Sequence, residues 1–224
     1  MNILGIDTST AASAACVVRG DGEVFEHEPR PEALAARPAH AAELMPAVDR
    51  VVDAAGLGYG DLDAVAVGVG PGGFTGLRIG VATARALATA AGAELHPVSS
   101  LAALAAEIEH EWRLPLIDAR RGEVFAALYE GEDARWPEAA GAPEEVARRV
   151  VEGGLQPLAA GDGALRFKDV LEAAGVHVAP PGSRVHVVRG LAICRLAPKA
   201  PSVAPEAVVP RYLREPDAKP LKDD

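Results

Sequence analysis

Residues 68–80 read Gly-Val-Gly-Pro-Gly-Gly-Phe-Thr-Gly-Leu-Arg-Ile-Gly, between an apolar run, Ala64 to Val69, and an Ala-rich segment, Arg78 to Ala91. That order predicts a strand running into a glycine loop that opens a helix. Backbone N–H groups at such a junction, with the positive end of the helix dipole, favour an anion. Glycine suits positions that need positive φ or close approach of another group. The stretch therefore anticipates something phosphate-like, or the backbone of another chain. A Walker loop is excluded, because no lysine lies near these glycines. Gly68-x-Gly70-x-x-Gly73 with Glu94 downstream matches a dinucleotide fingerprint, weakened by Pro71 inside the turn and by the further Gly76. The plain alternative is a tight turn that only packs a helix on a sheet.

Two further turns can do chemistry. Asp7, Thr8 and Ser9 end the apolar run from Ile3 to Ile6. They can orient a metal-bound water or a phosphate, or simply close a hairpin as an Asx or ST turn, the favoured reading. Asp118-Ala119-Arg120-Arg121-Gly122 ends a second apolar run, Leu114 to Ile117. Arg120 and Arg121 can hold phosphate through their guanidiniums or pair with acidic groups. The glycine-lined site, the first turn and the second give one set of phosphate- or nucleotide-adjacent candidates: Asp7, Thr8, Ser9, Gly72, Gly73, Thr75, Arg78, Arg120 and Arg121. The six histidines include no His-x-x-x-His pair, so no metal centre is expected. No Ser-His-Asp or Cys-His set can be assembled from sequence.

The elements that must position these turns follow from periodicity. Ile3–Ile6, Ala14–Val18 and Val24–His27 read as strands, the last two joined by Gly20-Asp21-Gly22. Leu44, Met45, Val48, Val51 and Val52 have helical spacing over 39–55, with Pro46 as a kink or a shifted start. With the glycine-loop strand, the helix over 75–91 and a strand over 95–98, residues 1–99 form a β-β-β-α-β-α-β lobe. Such a hairpin-led unit implies a mixed sheet. Residues 100–215 form a smaller lobe: a helix over 100–111 capped by Ser100, strands over 114–117 and 124–129, helices over 143–152 and 163–174, and a helix over 183–196. Residues 198–220 hold six prolines, and 216–224 read as a disordered tail. Each half contains a strand ending in Asp, a turn and a returning strand, which suggests two lobes facing a cleft.

Composition narrows the class. The 224 residues are 49% hydrophobic, with a net charge of −10. The scattered arginines make no basic run, so nucleic acid would be gripped mainly by another subunit. The absence of a signal peptide pattern or a membrane-length apolar run, and two distant cysteines, Cys16 and Cys194, favour a cytoplasmic protein with buried thiols.

Ile3-Leu-Gly-Ile-Asp-Thr-Ser-Thr10, Gly70-Pro-Gly-Gly-Phe-Thr-Gly-Leu-Arg-Ile-Gly80, Ile117-Asp-Ala-Arg-Arg-Gly-Glu-Val124 and Pro210-Arg-Tyr-Leu-Arg214 resemble the signatures of the TsaB (YeaZ) family. They occur in the family's order and span nearly the whole chain. The resemblance implies an α/β, two-lobed actin/Hsp70/sugar-kinase-like (RNase H-like) ATPase fold with mixed sheets. It also implies work beside the catalytic paralogue TsaD and the ATPase TsaE in bacterial synthesis of N6-threonylcarbamoyladenosine (t6A). That modification lies at position 37 of tRNAs reading codons that begin with A, and tRNA would be met only through the complex. No intrinsic cofactor is implied, with ATP or ADP at the complex interface left open. Nucleotide-hydrolysing relatives place glycines after the Asp of the second turn, where this chain has Ala119, Arg120 and Arg121, so that lobe reads as degenerate and the chain as noncatalytic. Departures are Gly73 for the usual Ser, Ala41 after His40 for Ser, and Phe125 for Tyr; each removes a hydroxyl.

Gly76, Gly80, Ala84 and Ala88 recur every fourth residue and place four small side chains on one helix face. A partner helix fits such a groove closely. With the resemblance, which implies pairing with TsaD or self-pairing as a homodimer, His40, Leu44, Met45, Val48, Val52, Gly76, Gly80, Ala84, Leu87 and Ala88 are the expected interface. Packing of both faces on the chain's own sheet is the alternative. On the interface reading, Ala84→Arg abolishes association and leaves the monomer folded.

Overall fold

The computed structural model describes residues 1–214, so the expected tail lies outside the described residues. The first half gives strands β1 (Ile3–Asp7), β2 (Ala14–Val18) and β3 (Val24–His27), helix α1 (His40–Ala54), β4 (Ala64–Gly68), α2 (Phe74–Ala91) and β5 (Glu94–Val98). This is the order read from sequence. The sheet runs β3-β2-β1-β4-β5, antiparallel across β1, β2 and β3 and parallel across β1, β4 and β5.

The second half contains α3 (Ser100–Ala106), β6 (Trp112–Arg120), β7 (Glu123–Glu130), β8 (Asp133–Gly141), α4 (Pro143–Glu152), β9 (Leu158–Ala160), α5 (Asp162–Arg166), α6 (Lys168–Ala173), β10 (His177–Val178) and α7 (Gly190–Leu196). Its sheet runs β10-β9-β6-β7-β8 with the same mix of parallel and antiparallel pairs. Two hairpins, β1–β2 and β6–β7, therefore hold equivalent places in the two sheets.

Period-two alternation builds the layers. Leu4 and Ile6 of β1 pack under α1 and α2, while Ile3 faces the middle layer. In β7, Phe125, Ala127 and Tyr129 face that middle layer, whereas Val124, Ala126 and Leu128 face outward to α4 and α6. The middle layer is α3 with α7. Residues beyond 100 thus return to the first sheet, because α7 lies on β1 and β2.

Several elements differ from the sequence reading: the helix expected over 163–174 is two, α5 and α6, broken at Phe167, and the short strand β10 was not expected. The helix expected over 100–111 ends at Ala106, where fully buried Ile108 drops into the core and the chain turns toward β6. Its cap is Ser99, whose hydroxyl accepts from the Ala102 N–H at 3.1 Å, not Ser100. The helix expected over 183–196 begins only at Gly190, after a 3₁₀ turn at Arg184–His186 and an extended stretch. Gly190 lies flush on β2: an added Cβ there would sit 2.7 Å from the Cys16 nitrogen. Strand β8 has no counterpart in the sequence reading, since its residues are mostly exposed. Pro46 sits within α1 and does not move its start.

A candidate cleft between the two hairpins

The β1–β2 turn is built by its own side chains. Asp7 Oδ1 accepts from the Ser9 backbone N–H at 2.8 Å and from the Ser9 hydroxyl at 2.7 Å. Its Oδ2 accepts from the Ser100 hydroxyl at 2.8 Å, which joins the turn to the first residue of α3. Burial raises the Asp7 pKa, and these Ser9 and Ser100 bonds only partly oppose it. Asp7, Thr8 and Ser9 are all about 1% exposed or less. The turn reading therefore holds for these residues, and Asp7 has no face toward solvent on which to orient a water.

The glycine loop serves this turn. The Gly73 N–H donates to the Ser9 carbonyl at 2.7 Å, and the Thr8 hydroxyl donates to the Gly76 carbonyl at 2.8 Å. A Cβ added at Gly72 would overlap the Ser9 carbonyl oxygen, one at Gly76 the Thr8 carbonyl oxygen, and one at Gly80 the Thr8 hydroxyl. The backbone that these glycines admit belongs to the same chain. Glu94 pairs with Ala64 at the start of β4, four residues before Gly68. That places it about 13 Å from the loop, at the wrong end of the strand for a ribose contact. The dinucleotide reading fails on this point.

The burial pattern also corrects the interface assignment. His40, Leu44, Val48, Val52, Gly76, Gly80, Ala84 and Ala88 are all buried inside this chain. The small-residue stripe faces the β1–β2 turn and the first sheet, so it offers no groove to a second helix. Ala84 is 0% exposed, and Ala84→Arg would break the fold along with any association. Of the ten residues only Met45 is exposed, with Leu87 partly so.

A cleft of about 500 Å³ opens where the two hairpins face each other, lined by Ser9, Thr10, His40, Gly73, Phe74, Thr75, Asp118, Arg120 and Asp162 among others. Four of the nine phosphate candidates, Ser9, Gly73, Thr75 and Arg120, meet there. Asp7 and Thr8 lie buried in the turn. Arg78 is instead stacked 3.8 Å over the Phe74 ring, with its Nε donating to the Tyr212 hydroxyl at 3.0 Å. Arg120 and Arg121 have φ of 63° and 56°, the left-handed conformation that glycine adopts freely. The second hairpin thus keeps a glycine-like backbone path at these two positions, and the Arg120 side chain, 63% exposed, lines the cleft. Arg120 Nη1 lies 3.1 Å and Arg166 Nη1 2.9 Å from Asp118 Oδ2.

Sequence reasoning missed Thr10, Arg166 and above all Asp162. Asp162 Oδ1 accepts from the Asp118 N–H at 3.0 Å, and its pKa is pushed up to about 6, chiefly by burial. The available signal was an Asp between two glycines at a strand-to-helix junction. Because the folded pKa is raised, the ionised carboxylate costs stability above about pH 6, and that cost is relieved as pH falls toward 3.8. The residue lines the open cleft and is not fully buried, so the cost is taken as about 1–2 kcal/mol. Asp162→Asn is expected to stabilise the protein by that amount at pH 8 and by almost nothing near pH 4. Urea unfolding at the two pH values checks this; an equal effect at both would place the cause outside ionisation.

Ser13, His40 and Glu43 also converge, which the sequence did not suggest. The Ser13 hydroxyl lies 2.9 Å from His40 Nδ1 and donates to Glu43 at 3.3 Å. The carboxylate holds the serine and not the imidazole, and burial lowers the His40 pKa. That order of bonds differs from a nucleophile–base–acid relay. Among the described residues, no group of three or more His, Cys, Asp or Glu is placed to hold a metal ion, and no helix is long and apolar enough to cross a membrane.

A family model described as TsaD, tRNA N6-adenosine threonylcarbamoyltransferase, matches residues 31–221. The chain is 32% identical over 231 residues to the tRNA threonylcarbamoyladenosine biosynthesis protein TsaB of Escherichia coli, covering 96% of this chain and 95% of that one. It is 36% identical over 132 residues to TsaB of Bacillus subtilis, covering 58% and 56%. An uncharacterised Mycobacterium leprae protein is 36% identical over 99% of this chain, which spans only 57% of that relative's length. The chain thus matches little more than half of the last two relatives. The structure of YeaZ from Pseudomonas aeruginosa superposes with a TM-score of 0.78 at 29% identity, covering 95% of this chain and 99% of that one. With its duplicated mixed sheets and facing hairpins, the chain belongs to the TsaB (YeaZ) family and has the actin/Hsp70/sugar-kinase-like (RNase H-like) fold.

Proposed function

We propose that this chain is a noncatalytic accessory subunit in t6A formation at position 37 of tRNA, acting by binding TsaD and supporting TsaD and TsaE. The observation that carries this reading is the state of the two hairpin aspartates. Asp7 is buried and accepts three hydrogen bonds from Ser9 and Ser100, while Asp118 is engaged by Arg120 and Arg166. Neither carboxylate is left to activate water or a hydroxyl, which fits a subunit whose binding energy biases a partner's conformation. The names of the TsaB relatives support the pathway, and the acidic composition supports contact with tRNA only through the complex. On this reading the chain has no intrinsic cofactor, a nucleotide at the junction with TsaD is accommodated by the cleft, the isolated chain forms homodimers and the protein is cytoplasmic. The rival is an ATP-hydrolysing or sugar-kinase-like enzyme of the same fold.

The test is reconstitution of tRNA threonylcarbamoylation with cognate TsaD and TsaE, with and without this chain. Modification that requires the chain, with no ATP turnover by the chain alone, supports the reading. Turnover by the purified chain that is lost on Asp7→Asn would favour the rival. The contact surface is tested at exposed positions on the outer faces of α1 and α2, Met45 and Ala82. Met45→Glu and Ala82→Arg are expected to weaken association with TsaD by at least about tenfold while the melting temperature stays within a few degrees. Unchanged co-elution of both variants would move the interface elsewhere.

A further inference from the structure

Residues 203–214 run across both sheets, and the two sets of contacts differ in kind. On the first sheet they are main-chain bonds and apolar packing. The Val203 N–H donates to the Leu95 carbonyl on the free edge of β5 at 2.9 Å, and the Arg211 N–H donates to the Val69 carbonyl at 2.7 Å. Val208 is 2% exposed beneath the first sheet's helices. Tyr212 stacks on Phe74, with ring centroids 5.0 Å apart. Toward the second sheet, Leu213 packs against the middle apolar cluster, and the polar contacts are two arginine heads. Arg211 Nη1 lies 2.8 Å from Glu138 Oε2 on β8, and Arg214 Nη1 lies 3.0 Å from Glu123 Oε2 on β7.

Burial makes the first set durable, and the part-exposed Arg214–Glu123 pair is the weakest point of the second. The Arg214–Glu123 pair is 28% and 40% exposed, whereas the Arg211 side chain, 53% exposed, reaches a Glu138 carboxylate that is only 9% exposed. The Arg214–Glu123 pair weakens with salt and the Arg211–Glu138 pair less so, whereas buried apolar contacts and main-chain bonds do not. Arg211 shows the division within one residue, since its backbone holds the glycine loop and its side chain holds β8. Phe74, on which Tyr212 rests, is itself a wall of the cleft that Asp118 and Arg120 face.

We infer that residues 203–214 are an interlobe latch, anchored on the first sheet, whose Arg211–Glu138 and Arg214–Glu123 pairs hold the glycine loop against the second sheet and whose release widens the cleft. The readout is local amide exchange. Two amides report the loop: Gly73, bonded to the Ser9 carbonyl at 2.7 Å, and Ser100, bonded to the Gly70 carbonyl at 2.9 Å. Amides of β1 and β4 report the fold.

Hydrogen–deuterium exchange is measured on the full chain, on Arg211→Ala/Arg214→Ala and on Glu123→Gln/Glu138→Gln. Both double variants are expected to speed exchange at Gly73 and Ser100 by about tenfold and leave β1 and β4 unchanged. The wild type in about 1 M NaCl is expected to move the same way but less far, since salt screens Arg214–Glu123 more than Arg211–Glu138, and the arginine variant to respond little further. Unchanged exchange at the two loop amides would overturn the latch. An equal rise in β1 and β4 would also overturn it, because the arginines would then support the whole fold.

Discussion

Arg189→Ala is expected to lower stability by about 3–5 kcal/mol at neutral pH, the cost of breaking a buried charge cluster by removing one partner. At this chain length that corresponds to a melting temperature lower by roughly 10 °C. Arg189 precedes α7, and its side chain is 9% exposed. One Nη is bonded to Glu26 of β3, and the other lies 2.8 Å from Glu107, just beyond α3. The Glu26 and Glu107 side chains are only 8% and 11% exposed, so alanine leaves two carboxylates desolvated and unpaired. Glu26 Oε1 also accepts from the Leu191 N–H at 3.0 Å, so the first turn of α7 loses its anchor's orientation.

Urea unfolding of wild type and Arg189→Ala at pH 7.5 checks this loss. The triple change Arg189→Met, Glu26→Gln and Glu107→Gln is expected to recover most of the stability, since no buried charge is then orphaned. A loss below about 1 kcal/mol in Arg189→Ala would mean that water reaches the cluster and solvates the glutamates.

This cluster marks what the sequence could not tell. Local signals placed β1 to β5, α1 and α2 well, because each carries an apolar repeat and a glycine or aspartate at its end. The long helix expected over 183–196 ignored two long-range demands: Gly190 must lie on β2, and Arg189 must turn toward Glu26 and Glu107. β8 was missed because Asp133, Arg135, Pro137 and Glu138 carry no strand pattern, and its conformation comes from pairing with β7. In the cleft, Ser9, Gly73 and Arg120 were legible as turn residues. Asp162 was not, since its place beside Asp118 arises only when β9 pairs with β6.

The small-residue stripe of α2 is the most instructive misreading, and Gly76→Ala decides it by sign. On a helix face open to a partner, alanine would stabilise the free chain by up to about 1 kcal/mol through helix propensity and impair only association. The structure puts the Thr8 carbonyl oxygen where that Cβ would go, with His40 Nε2 3.0 Å away. The oxygen belongs to backbone in the turn that Asp7 and Ser9 lock, so it cannot yield as a flexible side chain would. Overpacking outweighs propensity, and Gly76→Ala is expected to cost about 3 kcal/mol. Displacing the turn also strains the Ser100 bond to Asp7, so exchange at the Ser9 and Ser100 amides should rise together with the loss of stability. Chemical denaturation of the isolated chain separates the two readings without any partner. A more stable Gly76→Ala would return the stripe to the role of a docking groove, and a destabilised one ties it to the β1–β2 turn.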